Sequence, residues 1–122
     1  MEILLARPAA AALRARLLER DENLNAPHLL DIEVLHVVRR YLLTHAIEEM
    51  QARTALAIHR QLPIQRHRHD DLLGVVWELR DNFTAYDGTY IALAVALRAT
   101  FITMDLRLAH AAESILPVEV FA

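Results

Sequence analysis

The chain has 122 residues, of which 55% are hydrophobic and 24% charged, a balance that excludes disorder and gives one domain enough apolar material for a core. No cysteine is present, so a disulfide scaffold, a thiolate zinc site and a cysteine nucleophile are excluded, and two glycines leave no phosphate-cradling glycine loop. Thirteen basic residues, all arginine, stand against sixteen acidic ones for a net charge of −3, which is unlike the broad cationic face of a general nucleic-acid coat but compatible with an acidic site inside a basic rim.

Residues 8–20, with Leu13, Leu17 and Leu18 at helical spacing behind Pro8, read as an amphipathic helix. Arg7 and Arg14 interrupt the apolar stretch that a secretory signal needs, and no run of about 18 apolar residues follows, so a soluble cytoplasmic protein is expected. Residues 24–27 read as a short strand closed by Pro27. Residues 28–43 are apolar nearly all round, which predicts a helix covered on most sides. A third helix is expected over 46–60, a short strand over 63–66 and another amphipathic stretch over 70–80. Thr84 is placed as the N-cap of a helix over 86–98. Thr100-Phe101-Ile102-Thr103 reads as a buried strand, residues 106–112 as a helix and residues 117–121 as a last strand. Short strands alternating with helices predict an α/β, three-layer sandwich: a short, mostly parallel sheet with helices on both faces.

In such sheets, ligands bind outside the carboxyl ends of the strands. Three carboxylates fall at such places: Glu33, Asp87 and Asp105. Each also has a purely structural explanation. Asp105 can cap its helix, Thr84-Ala85-Tyr86-Asp87 is a variant of the capping box, and His36 and Arg40 can pair Glu33. If the three converge, their mutual repulsion is relieved by a divalent cation, and an all-oxygen ligand set selects a hard ion, Mg²⁺ or Mn²⁺. The pair of imidazoles in His67-Arg68-His69 reads as part of a solvated, charge-rich loop, and Trp77 as core or interface. Arg39, Arg40, Arg66, Arg68 and Arg107 read either as phosphate contacts or as solvated surface charges. Ser114 is the only serine, so no serine-hydrolase nucleophile is available.

Residues 82–112, NFTAYDGTYIALAVALRATFITMDLRLAHAA, resemble the second half of PIN domains, especially VapC-type toxins of bacterial toxin–antitoxin pairs. The family pattern is a Tyr-Asp followed by a small residue, a helix rich in Ala and Leu, and a strand ending Thr-x-Asp. Here these are Tyr86-Asp87-Gly88, residues 91–97 and Thr103-Met104-Asp105. The segment APHLLDIEVLHVVRR resembles the family helix that bears an acid, with Glu33 at the matching position. The resemblance implies a metal-dependent endoribonuclease toxin that cuts RNA, often tRNA or rRNA, and is silenced by a cognate antitoxin; it also implies a homodimer. Glu33, Asp87 and Asp105 would be its catalytic residues and hold Mg²⁺ or Mn²⁺, with Thr103 as a supporting hydroxyl.

The family also begins with an apolar strand ending in an aspartate. Residues 1–5 read here as the start of the first helix, so that strand and its acid read as missing, either because the start is set too far downstream or because the member is shortened. Weak or absent catalysis is therefore expected. The rival reading is a module that binds an antitoxin or self-associates without cutting RNA. A phosphatase-like or receiver-like domain fits less well, because it too needs a first-strand acid, and the chain has no lysine to meet a phosphoryl group.

Overall fold

A computed structural model describes residues 2–6, 23–103 and 105–120. Five parallel strands, β1 (Glu2–Ala6), β2 (Asn23–Pro27), β3 (Ile64–His67), β4 (Thr100–Thr103) and β5 (Val118–Val120), form one sheet in the order β3-β2-β1-β4-β5. The described helices are α1 (Leu29–Leu43), α2 (Glu49–Gln61), α3 (Leu73–Glu78, entered through a 3₁₀ turn over Asp70–Leu72), α4 (Ala85–Leu97) and α5 (Leu106–Ala112). The chain builds outward to β3 and then returns to the far side of β1. Right-handed crossovers in those two directions place helices on both faces of the sheet. The fold is the expected α/β class. The helix expected over residues 8–20 lies outside the described residues, and none of the described helices is long and apolar enough to cross a membrane.

The first strand is present, which corrects the sequence reading. Glu2–Ala6 is the middle strand of the sheet, with Ile3 in register with Leu24 on one side and Thr100 on the other. A short apolar run such as Ile-Leu-Leu has no period that separates strand from helix, and the Ala-rich stretch after it favours the wrong choice. Its acid is still lacking. The strand ends at Ala6, in register with Thr103, so alanine stands where the resemblance places an aspartate.

Burial is also distributed differently from the pattern in the sequence. The helix sunk in protein is α4, where Tyr90, Ile91, Ala92, Leu93 and Ala94 are all buried, and all but Ala92 share one core cluster with Phe101 and Ile102 of β4. Only one stripe of α1, Leu30, Val34 and Val38, is buried; Ile32, Leu35 and Leu43 are exposed. Trp77 is exposed as well, with the Arg80 guanidinium 4.6 Å from its ring centroid, so it is not core. Gly88 permits the close approach of α3, since a Cβ there would stand 3.3 Å from Val76 Cγ1. The small residue after Tyr-Asp in the motif therefore has a packing cause.

A charged clamp holds α1 to α2 and to the β3 edge. Arg66 donates from Nε and Nη2 to the two oxygens of Asp31, at 2.6 and 2.9 Å, and His59 Nε2 lies 2.7 Å from Asp31 Oδ1. The Arg66 fork holds the Asp31 carboxyl down at about 2, below its ordinary 3.8, with His59 adding to the effect against partial burial. This excludes Arg66 as a free phosphate contact. His67 is likewise no loop residue: its Nε2 lies 2.8 Å from Oδ1 of the buried Asn25, tying the end of β3 to the middle of β2. Because the folded Asp31 titrates lower than the unfolded one, its contribution is complete above pH ~4 and is lost as pH falls toward 2. Asp31→Asn should lower stability at pH 7 by about 1 kcal/mol after allowance for solvent screening. In urea denaturation followed by circular dichroism, the gap between the two proteins should close in acid.

Candidate active site

Two of the three expected acids meet. Asp105 directly follows β4 and caps α5, its Oδ1 accepting from Arg107 N at 3.0 Å and Leu108 N at 3.1 Å. Asp87 lies in the first turn of α4, where its backbone N–H donates to the N-cap hydroxyl of Thr84 at 3.1 Å. Both carboxylates line one cavity of about 380 Å³, together with Asn82, Thr84, Arg107 and Leu108. For these two acids the capping explanation holds, and the same helix starts that satisfy the backbone also put both in the lining of one cavity; the convergence of all three is not seen.

Thr103 serves this pair from behind. It is fully buried at the end of β4, and its Oγ1 accepts a hydrogen bond from Asp105 N at 3.1 Å. The hydroxyl therefore orients the Asp105 backbone.

Glu33 lies elsewhere. It lines a neighbouring cavity of about 420 Å³ with Ile32, His36, Val37 and Arg40 of α1 and Tyr86 of α4. Its Oε1 accepts a hydrogen bond from the hydroxyl of Tyr90, whose ring is buried in the core. Tyr86 and Asp87 are consecutive in the first turn of α4, so one turn contributes to both cavities. Among the described residues, no three Asp, Glu or His side chains stand close enough together to hold one ion. Two acids are gathered and the third is tethered beside them.

The donor chemistry of the pair fits a hard divalent ion. Two carboxylates lining one cavity, with Thr84 and Asn82 beside them, match the way Mg²⁺ is held by one or two protein acids while keeping several waters. Among the described residues, Arg107 is the arginine that lines this cavity. Tyr90 was not anticipated at all; its signal is the second aromatic of Tyr86-Asp87-Gly88-Thr89-Tyr90, one helical turn beyond the first.

Removing Asp105 tests its two jobs separately. Asn can accept the same capping bonds without charge, so Asp105→Asn should leave the melting temperature near that of the parent, whereas Asp105→Ala should cost about 1 kcal/mol. Thermal denaturation of both variants measures the difference.

No protein-family model matches the chain. A protein named Ribonuclease VapC1, from Mycobacterium tuberculosis, is 45% identical over 108 residues, covering 88% of this chain and 81% of the relative. Ribonuclease VapC9 of the same species is 36% identical over 124 residues, covering 98% of each. Among solved structures, VapBC2 from Rickettsia felis, bound to a DNA fragment from its promoter, matches with a TM-score of 0.69 at 15% identity over 98% of each chain, a likeness of fold.

Proposed function

Since the chain belongs to the family of VapC ribonucleases with a PIN-type fold, we propose that it is the toxin of a toxin–antitoxin pair, an endoribonuclease that hydrolyses RNA phosphodiester bonds in the cytoplasm. The observation that carries this reading is the shared cavity of Asp87 and Asp105 at the starts of α4 and α5, beside the C-terminal end of β4. We assign Mg²⁺ or Mn²⁺ to these two carboxylates, and Glu33, held by Tyr90 one cavity away, to the outer part of the same acidic site. When bound, the ion would polarise the phosphoryl group and acidify a water.

The chain's own residues do the positioning. Arg107 presents a guanidinium to the phosphate and fixes it against the acid pair, since its fork matches a phosphate group in a way a lone ammonium does not. Thr103 and the first-turn amides of α5 hold Asp105 in place. Hydrolysis then forms one P–O bond to the attacking water and breaks the other, the departing oxygen taking up a proton. A tRNA or rRNA target, an antitoxin partner and a homodimer belong to this proposal by resemblance. The many exposed apolar side chains of α1 and α3, including Ile32, Leu35, Leu73 and Trp77, suit such partners.

The second reading, a partner-binding module that does not cut, is favoured by one observation: β1 ends in Ala6 rather than an acid. One experiment separates the two. With Mn²⁺, the purified chain should cleave structured RNA slowly, and a chelator should stop it. Asp87→Asn and Asp105→Asn should each lower the rate by about 100-fold or more, and Glu33→Gln by about 10-fold, because it sits outside the pair. No metal-dependent cleavage by the parent would leave the binding module as the reading. Equal rates for parent and Asp87→Asn would remove the site.

A further inference from the structure

We propose that the cavity between α1 and the first turn of α4 is a nucleotide subsite, in which a base of single-stranded RNA stacks on Tyr86 while Arg40 and His36 meet its phosphate. The inference rests on the ribonuclease reading and assigns substrate-positioning residues to it. Tyr86 is 63% exposed at a helix start, although burying such a ring would be favourable by roughly 2 kcal/mol. The fold leaves that ring bare directly beside Asp87. Across the cavity, Ile32 of α1 is equally bare, at 63%. The two bare groups line the same cavity, whose volume of about 420 Å³ lies within the range that holds small ligands.

A guanidinium with no ion-pair partner among the described residues favours a nucleotide over an apolar peptide at this cavity. Arg40 and His36 line it, and Arg40 makes no ion pair with a described residue; its guanidinium lies 5.9 Å from the Tyr41 ring centroid. Glu33 also lines this cavity, with one oxygen accepting from the Tyr90 hydroxyl. An aromatic face with an adjacent arginine is how proteins hold unpaired bases, and each stacked base is worth about 1–3 kcal/mol. Because Tyr86 and Asp87 are consecutive, a nucleotide stacked here places its neighbouring phosphate toward the acid pair, so a strand can run from this cavity into the next.

The test is binding of a non-cleavable 2′-O-methyl oligonucleotide, followed by fluorescence anisotropy with and without Mg²⁺. Tyr86→Ala should weaken binding by about 5- to 150-fold, the range of one lost stack. Tyr86→Phe, which keeps the ring, should restore parental affinity, and Arg40→Gln should reduce the slope of log K against log salt by about 0.7. In turnover, Tyr86→Ala should raise KM more than it lowers kcat, the reverse of Asp105→Asn. Parental affinity in Tyr86→Ala, or an equal loss in Tyr86→Phe, would overturn the subsite, and insensitivity of RNA binding to both substitutions would leave the cavity to a protein partner. The ribonuclease reading fails separately, through absence of cleavage in the parent. Circular dichroism of Tyr86→Ala guards against misfolding, and Tyr86→Phe keeps the proposal testable even if that variant unfolds.

Discussion

The burial of α4 is the constraint on which the rest depends. A helix apolar on almost every side must lie inside the molecule, and this one packs with the core strands through Ile91, Ala94, Phe101 and Ile102. Once its axis is set there, its capped start is set as well. Thr84, Tyr86, Asp87 and Tyr90 then occupy places decided by packing, and the site inherits its geometry from the core. That is why two acids far apart in the chain come to line one cavity without any contact between their own side chains being needed to draw them together.

Around this fixed helix, α1 is attached by polar bonds at two points. The Tyr90 hydroxyl reaches Glu33, and the clamp of Asp31, Arg66 and His59 anchors the same helix to α2 and β3. Glu33 and Asp31 are two residues apart and lie on different sides of α1, so the helix is held from both. Its remaining apolar surface, Ile32, Leu35 and Leu43, is left outside. A helix read from sequence as buried thus has a narrow packed stripe and broad exposed flanks. The composition that suggested a deep core instead leaves apolar side chains at the surface.

How much was legible follows from what each pattern encodes. The α/β class, the buried strand over 100–103, the Thr84 cap and the placing of Asp87 and Asp105 at helix starts were all readable, because capping and short β-branched runs are local signals. β1 was not readable as a strand, since three apolar residues carry no period and the middle of a parallel sheet needs no alternation. The position of Glu33 was not readable either. It depends on a hydroxyl 57 residues away that competes for the carboxylate, and nothing local to α1 announces that tether. The resemblance points to three acids, and the placement of α1 beside the start of α4 decides which of them line one cavity.

A site with two convergent acids, where the resemblance expects more, changes the energetics of the proposed reaction. Fewer anionic ligands repel one another less and would hold an ion less tightly. A substrate phosphate supplies oxygens of the kind the protein lacks, and Arg107 is placed to hold that phosphate at the same cavity. Metal and RNA would then each raise the other's affinity by the same factor, as linkage requires. On this view Ala6 shifts the completion of the site from the protein to the substrate. In the proposed reaction, such a chain would hold metal weakly by itself and complete its centre only with an RNA phosphate in place.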